Sequence, residues 1–267
     1  MPIGLIACDL DGTLVGPDLN LTSRLRYAIR RALERGIVVT LATGRGFASA
    51  LSFARQLDIS APLICYQGAL LRSQEGEVFY QATLPKHHLP PVIAFCKQGG
   101  WELSLYYDDQ IYYYARHHDQ AYYDRWFDLP SHFAEDLMAA LPGDPLKFLA
   151  VASTKEQGDL LEREMRALAG EQFQIVRSHP WFVEGLARGV SKGDALARLA
   201  AHLGVPRERV MAIGDNGNDR AMVEWAAVGV AMGNASPDVK AVADVLAPPY
   251  DQDGAAWAIE KYALEEG

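Results

Sequence analysis

Ile3-Gly4-Leu5-Ile6-Ala7-Cys8-Asp9-Leu10-Asp11-Gly12-Thr13 joins an apolar run directly to two carboxylates one residue apart. The run Ile3–Cys8 shows no polar alternation. It reads as a strand buried on both faces, the kind found in parallel sheets covered by helices. In open parallel sheets, ligands bind beyond the carboxyl ends of the strands, which is where Asp9 and Asp11 fall. Two acids in such a place are costly to desolvate unless a cation holds them. An aspartate can attack phosphorus as a covalent nucleophile. A second one, two residues on, can protonate the leaving oxygen and later deprotonate water. Gly12 permits a tight turn and a close backbone approach to phosphate. A strand-end turn with a capping Asp accounts for the same residues without chemistry.

Working outward, Thr22–Arg35 has helical periodicity, with Leu25, Ile29 and Leu33 expected to face inward and Gly36 as the stop. Ile37–Ala42 reads as a strand, Phe47–Leu57 as a helix and Leu63–Tyr66 as a short strand. The texture then changes. Gly68–Gln81 suggests a hairpin around Gln74–Glu77, and a helix-like stretch follows Leu84-Pro85. Glu102–Arg116 suggests a second hairpin, with Tyr106, Tyr107, Tyr112, Tyr113 and Tyr114 flanking Asp108-Asp109-Gln110. A strand at Leu146–Ala152, a helix at Lys155–Ala169 and a strand at Gln174–Arg177 come next, and His179 reads as a turn residue before Pro180. From Ser191 the first rhythm returns: helix Gly193–His202, strand Arg209–Ile213, helix Asp219–Trp225, strand Val228–Ala231. The expected fold is α/β: a doubly wound, Rossmann-like parallel-sheet core formed by 1–83 and 188–267, interrupted by an α/β domain at 84–187. The inserted stretch holds 9 basic and 15 acidic residues, so it is not built to grip polyanions.

Three more constellations fall at predicted strand ends or helix starts. Thr43-Gly44-Arg45 offers a hydroxyl and backbone amides to a phosphate oxygen, or a helix N-cap. In Gly189-Val190-Ser191-Lys192-Gly193-Asp194, the Lys192 ammonium can neutralise Asp9 and a phosphate, or it is one more surface lysine. Gly214-Asp215-Asn216-Gly217-Asn218-Asp219 packs four acidic or amide side chains after a buried strand, a donor set suited to Mg²⁺, or to a turn capping the next helix. Together the four supply a nucleophile, an acid/base, charge neutralisation and a metal site, the parts phosphoryl transfer requires.

Composition narrows the field. The chain has 267 residues, 49% hydrophobic and 22% charged, which is the profile of a folded protein. Its net charge is −9. The densest basic stretch, Arg24, Arg26, Arg30, Arg31 and Arg35, has amphipathic-helix spacing. Both features argue against nucleic acid and anionic membrane as partners. Three widely spaced cysteines, Cys8, Cys65 and Cys96, fit neither a zinc site nor a disulfide framework and suit a reducing cytoplasm. The first apolar run is too short for a signal sequence, and no run approaches the roughly 18 apolar residues of a membrane span. A cytoplasmic monomer or small homo-oligomer acting on a small phosphorylated metabolite is the expectation.

The four constellations, in this order, resemble the haloacid dehalogenase superfamily of phosphatases, specifically its Cof-type branch. Asp9-x-Asp11, Thr43, Lys192, and Asp215 with Asp219 match the successive family motifs. Met232-Gly233-Asn234-Ala235 and Val239-Lys240 are also typical of the branch. The resemblance implies Asp9 as nucleophile and metal ligand, and Asp11 as acid/base with its carbonyl on the metal. It implies Thr43 and Lys192 on the phosphate, with Gly12 and Gly44 beside it and Asn218 either contacting it or ordering the loop, and Asp215 at Mg²⁺ with Asp219 supporting the metal shell. The insert would be an α/β cap that selects substrate, sugar phosphates by default, with Arg45, Gln67, His179 and Glu184 as further substrate contacts. Gln67 departs from the asparagine usual at its position. The alternatives are a phosphomutase of the same superfamily and, from another class, a phosphorylatable receiver-like signalling module. Receiver-like modules are shorter and lack both the acidic 214–219 loop and the insert.

Overall fold

A computed structural model of the chain describes residues 2–126 and 129–265. The first stretch supplies β1 (Leu5–Cys8), α1 (Ser23–Glu34), β2 (Val38–Leu41), α2 (Phe47–Gln56), β3 (Leu63–Cys65), β4 (Leu70–Arg72) and β5 (Val78–Gln81). The insert supplies α3 (Pro90–Gly99), β6 (Glu102–Tyr107), β7 (Gln110–Tyr113), α4 (Gln120–Trp126), β8 (Ser131–Phe133), α5 (Leu137–Ala140), β9 (Lys147–Val151), α6 (Lys155–Ala169), β10 (Phe173–His179) and β11 (Phe182–Ala187). The return supplies α7 (Lys192–His202), β12 (Val210–Gly214), α8 (Arg220–Trp225), β13 (Val228–Ala231), α9 (Pro237–Lys240), β14 (Val245–Leu246) and α10 (Gly254–Ile259). The chain divides into two compact units, Met1–Tyr80 with Ser191–Gly267, and Gln81–Val190.

The first unit is built on a parallel sheet of order β14-β13-β12-β1-β2. All four residues of β1 are buried, as an apolar run without alternation requires. Cys8 lies level with Leu41 on one side and Ile213 on the other. The loops that follow these strands therefore start at one height. Helix α1 begins at Thr22, whose Oγ1 accepts the Leu25 N–H at 3.1 Å, and buries Leu25, Ala28, Ile29 and Ala32. Leu25 and Ile29 face inward as expected; Leu33 is only half-buried, and Ala32 takes the last inward place. Burial beside Asp9 pushes the Cys8 thiol up to about 12. No described helix is long and apolar enough to cross a membrane.

The second unit has a six-stranded sheet of order β10-β11-β9-β6-β7-β8, antiparallel except for β7–β8. The β6–β7 turn places Asp108 (φ 44°) and Asp109 (φ 55°) in the left-handed conformations that tight hairpins favour. Leu103, Leu105, Phe148, Ala150 and Val183 form one face, packed with Val92 and Cys96 of α3 and Leu161 and Met165 of α6. Burial pushes the Cys96 thiol up to about 12. Strand alternation puts Glu102, Ser104, Tyr106, Lys147 and Glu184 on the other face. Strand β11 escapes a reading of the sequence because Glu184-Gly185 interrupts its apolar pattern. His179 is not a turn residue: it ends β10 and pairs with Phe182 across a register shift.

Candidate active site

Asp9 is the first residue beyond β1 and is 5% exposed. Its amide hydrogen-bonds to the Ile213 carbonyl at 2.9 Å, which ties it to the neighbouring strand. Its Oδ1 accepts from Lys192 Nζ at 2.6 Å. Lys192 opens α7 just after its cap Ser191, whose Oγ accepts the Asp194 N–H at 3.0 Å. The lysine is no surface residue: it is 1% exposed, and Nζ also reaches Asp219 Oδ1 at 2.6 Å. Burial alone would weaken its hold on the proton. Asp219 and Asp9 outweigh that and keep the ammonium above its ordinary pKa.

Asp219 is fully buried, and its second oxygen accepts the backbone N–H groups of Asp215 at 2.9 Å and Asn216 at 3.0 Å. It therefore shapes the loop that presents Asp215. That carboxylate accepts from Thr13 Oγ1 at 3.1 Å through Oδ1 and from Asn234 Nδ2 at 3.3 Å through Oδ2. The same Asn234 amide donates to the Gly12 carbonyl at 2.9 Å. Gly12 has φ 87°, and a Cβ there would stand 2.4 Å from Asp215 Oδ2, so glycine is required twice over.

Asp9, Asp215 and Asp219 each offer an oxygen within 4.8 Å of the others. Burial, reinforced by Asp219 and opposed by Lys192, raises Asp9 to about 7. Burial, then Asp9 and Asp219, raise Asp215 well above the usual carboxylate range. Three carboxylates share one ammonium. The two negative charges left over are what one divalent cation neutralises, and an all-oxygen donor set suits a hard one.

On the other side of the strand end, Asp11 is gripped by Arg45. Its Oδ2 accepts from Nε and its Oδ1 from Nη2, both at 2.8 Å. Such a fork fixes the plane as well as the position of a carboxylate. The guanidinium is braced by Ser49 Oγ at 3.3 Å and lies 5.5 Å from the Phe53 ring centroid, both on α2. Thr43 is 1% exposed, and its Oγ1 accepts the Arg45 N–H at 3.1 Å. Gln67 Oε1 accepts from Asn218 Nδ2 at 2.8 Å.

Asp9, Asp11, Gly12, Thr43, Gly44, Arg45, Gln67, Lys192, Asp215, Asn218 and Asp219 thus all belong to the first unit and lie at or after the ends of its strands, or at the start of α7. His179 and Glu184 belong to the second. The His179 ring lies 4.9 Å from those of Trp181 and Phe182, and Glu184 is buried in an ion pair with Lys147 at 2.5 Å. Thr13 and Asn234 are site residues to which sequence reading assigned no role. Their signal was position, immediately beside Gly12 and in the loop after β13.

Residues 6–259 match the haloacid dehalogenase-like hydrolase family. The phosphatase YwpJ of Bacillus subtilis is 29% identical, over 94% of this chain and 97% of its own. The B. subtilis 5-amino-6-(5-phospho-D-ribitylamino)uracil phosphatase YcsE is 30% identical, over 98% and 96%. The chloroplastic endoribonuclease YBEY of Arabidopsis thaliana is 29% identical over 97% of this chain, which spans only 46% of that longer protein. Among solved structures, a haloacid dehalogenase-like hydrolase from Bacteroides thetaiotaomicron superposes with a TM-score of 0.85 at 29% identity, covering 97% of this chain and 99% of the other. The HAD subclass IIB sugar phosphatase BT4131 gives 0.84 at 27% identity, covering 98% and 99%. With the motif residues gathered at the ends of a parallel sheet and an α/β unit inserted between its halves, the chain belongs to the haloacid dehalogenase-like hydrolase family and is a phosphoric monoester hydrolase.

Proposed function

We propose that the protein is a Mg²⁺-dependent phosphatase that hydrolyses small phosphorylated metabolites, sugar phosphates foremost, through a phospho-aspartate on Asp9. The observation that carries this is the buried Asp9–Lys192–Asp219–Asp215 cluster, two charges short of neutrality, at the end of β1. Asp9 and Asp215 would hold the cation with the Asp11 carbonyl, while Asp219 keeps the loop in shape. When bound, the ion supplies positive charge against the carboxylates and the phosphoryl oxygens.

In the first half-reaction an Asp9 oxygen attacks phosphorus as the ester oxygen departs. Asp11 gives that oxygen its proton, so the leaving group goes as a neutral alcohol. Thr43, Gly44 and Lys192 hold the phosphoryl oxygens in line with Asp9. In the second half-reaction Asp11, now a carboxylate, takes a proton from water as it attacks the acyl phosphate. Phosphate leaves, and both aspartates return to their starting forms. The Asp11–Arg45 fork suits the carboxylate that acts in the second step; in the first, one Asp11 oxygen would part from Arg45 to carry the proton it gives. The inserted unit is the proposed substrate-selecting cap. Sugar phosphates come first because BT4131 is a sugar phosphatase, and YcsE acts on a phosphorylated ribityl chain. A cytoplasmic location and action on free metabolites complete the reading.

Asp9→Asn is the direct test. It should abolish Mg²⁺-dependent phosphate release, and a variant retaining substantial turnover would remove Asp9 as nucleophile. Release measured with and without a sugar bisphosphate separates hydrolysis from a mutase reaction, in which the phosphoryl group returns to the sugar.

A further inference from the structure

The turn Tyr66–Gly68, which follows β3, carries no charged side chain, yet it abuts three loops of the site. Tyr66 (φ 51°) and Gln67 (φ 61°) are consecutive left-handed residues that are not glycine. Each such residue is strained and persists only where its surroundings enforce it. Here the enforcement comes from the loop after β2. The Tyr66 N–H donates to the Arg45 carbonyl and the Gln67 N–H to the Thr43 carbonyl, both at 3.0 Å. Gly68 (φ 99°) passes so near the α7 cap that a Cβ would stand 2.3 Å from the Ser191 carbonyl oxygen. Lys192 is the next residue. The Gln67 side chain is 2% exposed and crosses Gly44, where a Cβ would meet its Nε2 at 2.3 Å. Its other end accepts from Asn218 Nδ2 at 2.8 Å.

We infer that Gln67 is a positioning residue, which spans from the Thr43–Gly44 turn to the acidic loop and sets Asn218 in register with Thr43 and Lys192 before any ligand arrives. It acts through Asn218 rather than on the ligand. An asparagine at this position is one methylene shorter and leaves the Asn218 amide out of reach, which makes side-chain length the operative property. The inference rests on the proposal that Thr43, Lys192 and Asn218 surround the phosphoryl group.

The test is a double-mutant cycle on orthovanadate binding in the presence of Mg²⁺. Q67A should weaken vanadate about tenfold, the scale of one lost hydrogen bond, and Q67N, too short to reach Asn218, by a similar factor. In the N218A background Q67A should add less than about a twofold change. With substrate, Q67A should raise KM and leave kcat nearly unchanged. Losses that multiply across the cycle would place Gln67 on the ligand itself and overturn the inference. So would wild-type vanadate affinity in Q67A or, if that variant does not fold, in Q67N. Wild-type affinity in N218A alone, or in Lys192→Met, would instead remove the underlying phosphate pocket, a separate failure.

Discussion

Lys192 in the core and Lys147 in the inserted unit are both buried among carboxylates, and their surroundings differ in charge count. Lys147 pairs with Glu184 on the sheet face turned away from the insert's apolar core, with the Tyr106 ring 4.5 Å from its ammonium. Lys192 faces Asp9 and Asp219, with Asp215 beside them. The Lys147–Glu184 pair sets one charge against one. The Lys192 set carries two negative charges too many, and raised carboxyl pKa values at Asp9 and Asp215 register the excess. A balanced buried pair completes itself, whereas an unbalanced one is complete only with something added. Buried charge by itself therefore says little about function; the remainder after pairing says more.

The largest expected effects test that distinction directly. Lys192→Met should cut kcat by about a thousandfold or more, since it removes the charge proposed to hold the phosphoryl group. Lys147→Met should leave the chemistry at Asp9 within a few-fold and lower thermal stability instead. Equal losses of kcat from both would erase the contrast. Chelation comes next. EDTA should abolish turnover, and restoring Mg²⁺ should raise the melting temperature of the wild type by mass action. Lys147→Met should show the same Mg²⁺-induced rise, whereas Asp215→Asn should lose it.

Smaller effects concern stability. Glu184→Ala leaves Lys147 buried without its carboxylate and should cost about 3–5 kcal/mol in chemical denaturation, while a paired apolar replacement of both residues should recover much of it. pH dependence separates the two sites again. In the metal-free protein Asp9 holds its proton up to about 7, against 3.8 unfolded. The native state thus binds a proton that the unfolded chain has released, so stability should fall as pH rises from about 5 to about 7. Urea midpoints measured across that range should decline without Mg²⁺ and flatten with it. A rising curve in the metal-free protein would contradict the assigned direction. The smallest effect is at Arg45. Arg45→Ala should slow hydrolysis of alkyl phosphates several-fold more than that of p-nitrophenyl phosphate, whose leaving group needs little help from Asp11. An equal loss on both would move Arg45 away from Asp11 and onto the substrate.

The core was legible because its chemistry is local in sequence. Asp9, Thr43 and Asp215 each follow an apolar run within two residues, so finding the strand finds the side chain. Lys192 was legible as a position but not as a buried one. Its burial depends on Asp9 and Asp219, which lie 183 and 27 residues away. Gln67 was harder still, since its meaning lies in backbone conformation and in a contact 151 residues distant. The insert shows the limit most clearly. Glu184 breaks the apolar pattern of β11, and its pairing with Lys147 on the neighbouring strand β9 explains why a strand tolerates it. A pattern read along the chain does not see partners contributed by another strand.

Three buried thiols give the molecule its own reporters. Cys8 and Cys65 sit on core strands and Cys96 on a helix of the insert, and none is in a disulfide. With Cys8 and Cys96 pushed up to about 12, a thiol reagent finds almost no thiolate in the native state, even next to Asp9. Alkylation followed residue by residue would therefore time the opening of the core at Cys8 and of the insert at Cys96 in a single reaction, with no label added beforehand.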